Sequence, residues 1–409
     1  MWSLIKNANI FAPEPLETHD LLVVGNQIAA IGNDLSLPSY SNGQVYDLQG
    51  NYLVPGFIDA HVHICGGGGE AGPSSRTPEV QLSQLTQAGI TTVVGCLGTD
   101  SLSRSMEGLL VKANALEEEG LTCYVYSGGY QADRMVFDNL RKDLVLIDKV
   151  IGAGEIAISD HRSAQPQISE LERLAAGARV GGMLGHKAGI VHIHLGEGKR
   201  GLSPIWRIVE DTEIPITQFM PTHINRKEKL LKEGVEFLKA GGTIDLTAGC
   251  DDFEPHLHVP FVLNTLYEQG LLNDRVTVTS DGNGSLPQYN EAGALVGMGI
   301  GSVHVLWRDV REAINEYKIP LEIVLPTITS NPARILKLKG KGMIRQGYDG
   351  DLVALTDDLR IDKVWARGKI MIRDRMPVVF GMFETSLASH LQTVETPRLV
   401  KGRILSNTH

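Results

Sequence analysis

Apolar residues fall into two different rhythms along this chain. At both ends they alternate with polar residues in short runs broken by Gly, Asn and Pro: SLIKNANIF, DLLVVGNQIAAIG and QVYDLQGNYLVPG near the start, GMIRQGYDGDLVALTDDLRIDKVWARGKIMIRDRMPVVFG near the end. A period of two marks half-buried strands, and the glycines and asparagines mark tight turns. The two ends are therefore expected to pair into one small β domain, residues 1–55 with 341–385, followed by a C-terminal tail at 386–409.

Over residues 56–340 short apolar runs alternate with longer amphipathic stretches, the signature of βαβ units. Eight runs read as strands: FIDAHVH, ITTVVGCLG, TCYVYSGGY, EIAISDH, IVHIHLG, ITQFMPTHI, TIDLTAG and VTVTSDG. The helices between them carry recognisable ends. Thr77-Pro78-Glu79 offers an N-cap and a proline at the first helical position before VQLSQLTQ, and Gly89 stops it. SLSRSMEGLLVKANALEEEG sets Met106, Leu109, Leu110, Ala113 and Leu116 on one face before Gly120. Ser203-Pro204 opens another helix, and RKEKLLKEGVEFLKAGG closes one on Gly241-Gly242. Eight such units predict an α/β chain built on a TIM-like (β/α)8 barrel, although a doubly wound open sheet shares the same local alternation.

Composition narrows the class. With 409 residues, 42% hydrophobic and 21% charged, the chain has material for a large core and is neither a disulfide-stapled module nor a disordered one. Glycine, at 45 residues, exceeds its average share of about 7% and suits many tight loops. The net charge of −10, with no Lys/Arg-rich run interleaved with aromatics, argues against a nucleic-acid surface or a polybasic membrane anchor, while a few local arginines could still dominate a pocket for an acidic substrate. Cysteines 65, 96, 123 and 250 show no CxxC or secretory spacing and are expected reduced and buried. Without a signal-like apolar core or an 18-residue apolar run, the expectation is a soluble, cytoplasmic protein.

In a (β/α)8 barrel the active site lies at the C-terminal ends of the strands, so polar residues closing apolar strands carry the chemistry. The first strand ends His61-Val62-His63, a spacing that turns both imidazoles to one face and suits one metal ion. The fifth ends at His194, the sixth at His223 and the eighth at Asp281. A lone strand-end histidine is ordinarily a hydrogen-bonded core or rim residue, but four histidines and an aspartate closing four strands of one barrel point to a metal centre. Past other strand ends stand Arg162, Arg226, Glu70 and Thr99, each a surface group or a ligand contact on sequence alone.

FIDAHVH, the strand-end histidines, SDG and TSNPARILKLKGKGMIRQGYDGDLVAL resemble the metal-dependent amidohydrolase superfamily across roughly residues 5–385. The last segment is similar to the stretch where that superfamily's barrel returns to its β-sandwich domain, which implies a small β-sandwich domain built from 1–55 with 341–385. HVHICGGGGEAGP, RTPEV, GTDS, ISDHRSA, PTHINR, GGTIDLT and SDGNGS are similar, within it, to the isoaspartyl (β-aspartyl) dipeptidase family. The resemblance implies a zinc-dependent metallopeptidase for β-aspartyl dipeptides, acting as a homo-oligomer. It implies two divalent metal ions, zinc foremost, held by His61, His63, His194, His223 and Asp281 around a bridging hydroxide, with Asp281 as general base and acid and Tyr130 over the scissile carbonyl. Substrate contacts carried over in the same way are Gly68, Gly69, Glu70, Thr99, Tyr130, Arg162, Arg226 and Ser285, arginines for two carboxylates and an acid for one ammonium.

One position departs from the family. Its bridging ligand is usually a lysine in strand four carboxylated by carbon dioxide, and here KVIGAGEIAISDHRSA places Glu155 at that position with no lysine in the strand. A carboxylate, like a carbamate, presents two oxygens and one negative charge. Glu155 is therefore expected to bridge, with no carboxylated lysine, its shorter side chain requiring the strand or the metals to shift; the alternative is an altered site that holds a single tightly bound metal. His192 reads as a satisfied core residue, His256 and His258 as loop residues, and Cys65 and Cys96 as small buried hydrophobes. Two rival readings are a cyclic-amide hydrolase of dihydroorotase or hydantoinase type, and a catalytically silent scaffold on the same barrel.

Overall fold

A computed structural model describes residues 2–131, 135–251, 253–289 and 295–384, so the tail expected at 386–409 lies outside the described residues. The N-terminal segment forms β1 (Trp2–Phe11), β2 (Pro15–Val24), β3 (Gln27–Gly32), β4 (Gln44–Asp47) and β5 (Tyr52–Pro55). The barrel strands follow: β6 (Phe57–Val62), β7 (Ile90–Gly95), β8 (Thr122–Ser127), β9 (Val150–Ile158), β10 (Ile190–Leu195), β11 (Phe219–Thr222), β12 (Ile244–Thr247) and β13 (Val276–Thr279). A hairpin, β14 (Ser285–Tyr289) and β15 (Leu295–Ile300), precedes the helix Val305–Tyr317, and the chain returns through β16 (Leu352–Leu355), β17 (Ile361–Ala366), β18 (Lys369–Arg373) and β19 (Met376–Pro377).

Both chain ends share one nine-stranded sheet in which β16 joins β5, antiparallel. Strand β1 pairs with β2 on one side; on the other, its first half pairs with β4 and its second half with β5, so the sheet forks there. Ile5, Ile10, Leu21, Leu53 and Trp365 fill the resulting core, with the Tyr46 and Trp365 rings edge-to-face at 5.2 Å.

Strands β6 to β11 run parallel in sequence order, and β12 pairs with β13. The ring closes where Val62 bridges Gly282 and the His63 N–H donates to the Gly282 carbonyl at 2.9 Å. Between β11 and β12 the Thr222 hydroxyl donates to the buried Asp245 at 2.6 Å. Residues of β6, β7, β9 and β10 are buried throughout, because helices cover the outer face and packed side chains fill the inner one. This explains runs without alternation.

Three local expectations change. The first barrel helix is Leu82–Gln87, capped by Gln81 in a box with Gln84; Thr77 instead accepts the Gly67 N–H at 2.6 Å and donates to the Asn283 carbonyl at 2.6 Å, tying two loops together. Strand four starts at Val150 rather than Glu155, its glycine-laced first half masking the extended backbone. The β14–β15 hairpin, interrupted by Pro287 and glycines, carries no clean period of two. Cys65, Cys96 and Cys123 are buried, Cys250 is half-buried, and all four are free thiols. Among the described residues no helix is long and apolar enough to cross a membrane.

Candidate active site

His61 and His63 leave the end of β6 on one face, both buried. The Val62–Gly282 bridge pins that end against the turn carrying Asp281, so Asp281 Oδ1 lies 3.0 Å from His63 Nε2 and 3.5 Å from His61 Nε2.

Glu155 reaches the same centre by a break in register. On β10, Val191 faces Ala153 and Ile193 faces Ile156, so Gly154 and Glu155 together oppose His192 alone. Such a bulge re-aims a side chain, and Gly154 permits it, because a Cβ there would meet the His192 Cβ at 2.8 Å. The extra residue in the register sets the Glu155 carboxylate among the strand-end histidines. Its two oxygens divide the imidazoles between them: Oε1 lies 2.6 Å from His194 Nδ1 and 3.2 Å from His223 Nε2, Oε2 lies 3.4 Å from His61 Nε2 and 3.8 Å from His63 Nε2. Burial opposes charge on Glu155, yet His61 and His194 hold it well below the usual carboxylate range.

His61 Nε2, Glu155 Oε2 and Asp281 Oδ1 are buried without a hydrogen-bond partner. Orphaned polar atoms of this kind are costly, and their convergence fits a cation. Among the described residues, two groups have ligand atoms mutually within 4.8 Å: His61, His63, Cys96 and Glu155 form one; Glu155, His194 and His223 form the other. Glu155 belongs to both.

The other expected residues gather at the mouth. Tyr130 hydroxyl lies 2.9 Å from His194 Nδ1, and burial pushes it well above the ordinary phenol range, so it keeps its proton. Glu70 Oε1 accepts from the Thr99 hydroxyl at 3.0 Å, the Ser285 hydroxyl at 3.2 Å and Arg162 Nη1 at 3.2 Å. Arg226 Nη1 donates to the Leu195 carbonyl at 2.9 Å and lies 3.3 Å from His194 Nε2. Gly68 bridges Arg76 in the glycine loop, and its neighbour Gly67 donates its N–H to the Asn283 carbonyl at 3.1 Å, next to the turn that carries Asp281.

The Amidohydrolase family model matches residues 263–371. A β-aspartyl dipeptidase from the thermophilic, keratin-degrading Fervidobacterium islandicum AW-1, solved in complex with β-Asp-Leu dipeptide, superposes with a TM-score of 0.85 and 45% identity over 92% of this chain and 98% of that one. The chain belongs to the β-aspartyl dipeptidase family of amidohydrolases. A D-hydantoinase from Thermus sp., at TM-score 0.65 and 17% identity over 93% of this chain and 97% of that one, shares the fold alone. Among curated relatives, an imidazolonepropionase of Psychromonas ingrahamii is 29% identical over 140 residues, 32% of this chain and 35% of that protein. An adenine deaminase of Kosmotoga olearia is 24% identical over 97% of this chain and 62% of that protein, so the chain spans less than two thirds of either curated relative.

Two residues of this dipeptidase-family barrel escape a reading of the sequence for ligands. His192, expected to be plain core, stands directly behind a site residue: its Nε2 lies 2.9 Å from His61 Nδ1, and its ring stacks on Tyr126 at 4.8 Å. Burial, with His61 beside it, pushes it down to about 3, so it is a neutral imidazole. The signal was the second HxH, whose period of two turns both rings inward. Asp160 lies 3.0 Å from His194 Nε2 and pairs with Arg162 at 2.8 Å; only its place after a strand end marked it. His223 Nδ1 is held by Thr247 at 2.7 Å. His161 is exposed, His256 pairs with Glu254 at 3.4 Å, and His258 meets the Phe253 carbonyl at 3.0 Å.

Proposed function

We propose that this chain hydrolyses β-aspartyl dipeptides, with His61, His63 and Asp281 on one divalent cation, His194 and His223 on a second, and the Glu155 carboxylate between them. The observation that carries the reading is the division of Glu155's two oxygens between two imidazole pairs, beside buried His61 Nε2 and Asp281 Oδ1, which make no hydrogen bond. Bound there, a zinc pair would polarise the scissile carbonyl and make water nucleophilic near neutral pH. Asp281 takes the proton from the attacking water and returns it to the leaving amine. Tyr130, kept protonated by burial, donates to the oxygen that gains negative charge. Arg162 and Arg226 meet the two substrate carboxylates, and Glu70, steadied by Thr99 and Ser285, meets the ammonium. Gly68 and Gly69 leave the main chain open to close approach. This zwitterion-matched rim favours a dipeptide over a cyclic amide, and the intact ligand set speaks against a silent scaffold. The chain is further proposed to act in the cytoplasm as a homo-oligomer. The test is zinc-loaded protein with β-Asp-Leu and α-Asp-Leu: rapid release of leucine from the first and little from the second is expected, and equal rates would overturn the isoaspartyl reading.

A further inference from the structure

Between the cation site and the substrate rim stands a carboxylate that neither of them needs as a direct ligand. Asp160 follows the end of β9 by two residues and is almost fully buried. Its Oδ1 accepts the backbone N–H of Arg162 at 2.8 Å and the Arg162 Nε at 3.0 Å, and its Oδ2 accepts Arg162 Nη2 at 2.8 Å. Both oxygens thus grip one edge of the guanidinium, a planar two-point hold that leaves Nη1 to reach Glu70 at 3.2 Å. The same Oδ2 lies 3.0 Å from His194 Nε2, while His194 Nδ1 lies 2.6 Å from Glu155 Oε1 on the opposite edge of the ring.

A neutral imidazole carries one N–H and one lone pair. If Nε2–H is given to Asp160, the Nδ1 lone pair must face Glu155 and the cation position. The Tyr130 hydroxyl, 2.9 Å from Nδ1 and 3.2 Å from Nε2, can donate or accept at either nitrogen and so selects neither tautomer, which leaves the choice to the carboxylate at Nε2. Arg162 and Arg226 also crowd Nε2, at 3.4 and 3.3 Å, but guanidinium groups only donate and would favour the wrong tautomer. Asp160 therefore decides the ring's orientation against its neighbours. Its position is built: a Cβ on Gly196 would lie 2.4 Å from the Asp160 Cβ, and Gln165 Nε2 donates to the Asp160 carbonyl at 2.6 Å.

We infer that Asp160 is a shared positioning residue, one carboxylate that fixes the tautomer of His194 and the fork of Arg162, so that loading of the cation site and grip on a substrate carboxylate depend on the same side chain. The Arg162 half rests on the dipeptidase reading; the His194 half does not. The test is Asp160→Asn, isosteric and uncharged, measured two ways. Zinc affinity by chelator competition is expected to fall about 10–100-fold, the usual effect of removing a partner behind a metal-binding histidine. At saturating zinc, KM for β-Asp-Leu is expected to rise at least tenfold with a much smaller change in kcat. Arg162→Gln should raise KM and leave zinc affinity unchanged, separating the two roles. Unchanged zinc affinity in Asp160→Asn would overturn the inference by leaving Asp160 to Arg162 alone, and unchanged KM at saturating zinc would overturn it from the other side. If wild-type protein cleaves neither dipeptide, the dipeptidase reading fails, while zinc affinity, with calorimetric binding of succinate in place of KM, still decides the inference. Should the asparagine variant fail to fold, Asp160→Ser, which retains an acceptor for the Arg162 N–H, carries the same measurements.

Discussion

Glu155 stands where the family resemblance places a carboxylated lysine, and its packing predicts that one substitution cannot restore that ligand. A carboxylated lysine at this position would be longer than glutamate by three atoms, roughly 3–4 Å. Glu155 is 1% exposed, and its oxygens already lie 2.6 Å from His194 and 3.4 Å from His61, so the added length has no free space. The bulge at Gly154–Glu155 leaves the backbone behind Glu155 no room to withdraw, because Gly154 lies so close to His192 that a Cβ there would meet the His192 Cβ at 2.8 Å. Glu155→Lys is thus expected to stay inactive, with or without bicarbonate. Glu155→Gln keeps the shape but removes the charge that would face the proposed cations; leaving a buried charge without its partner costs about 3–5 kcal/mol, and if that cost falls on the zinc-loaded state it amounts, at about 1.4 kcal/mol per decade, to two to four decades of zinc affinity. Glu155→Ala should lose more. Chelator competition on apo-protein, with β-Asp-Leu hydrolysis with and without bicarbonate, reads all three. Bicarbonate-dependent recovery of Glu155→Lys would refute the lack of space around this side chain, and full zinc content in Glu155→Ala would refute the bridge.

Asp281→Asn should keep the fold and most metal while turnover falls about 10²–10⁴-fold, because an amide cannot take the proton from water; near-wild-type turnover would remove Asp281 from that role. Burial pushes the Cys65 thiol up to about 11 and those of Cys123 and Cys250 up to about 12, so at pH 8 the three remain neutral and are expected to resist Ellman's reagent until the chain unfolds. Reactivity should rise only as pH approaches those values; fast native labelling at pH 8 would contradict the packing. Lys341, 3% exposed at its side chain, lies 2.8 Å from Asp349 and 2.6 Å from Asp351, and Lys341→Met leaves both carboxylates unpaired at a cost of about 3–5 kcal/mol. Urea unfolding checks this, and a loss under 1 kcal/mol would show that the carboxylates find other partners.

What the sequence determined by itself is whatever repeats locally. Apolar runs bounded by glycine and proline marked the barrel strands, and the polar residue closing each run marked His61, His63, His194, His223 and Asp281, because strand ends of a parallel barrel share one face. The alternation in both termini marked strands of a common sheet. What only the tertiary structure decided is whatever depends on a neighbour's register. The bulge that delivers Glu155 exists only relative to β10, where two residues stand against His192. Thr77 resembles a helix cap in sequence, yet its hydroxyl serves Gly67 and Asn283, the latter 206 residues away, and the local capping signal loses to that contact. His192 and Asp160 read as core and loop until the barrel closes and sets them behind His61 and His194. A side chain's chemistry is written in its identity, but which nitrogen of an imidazole faces a cation is settled by what stands on its other edge, and that partner arrives from another strand.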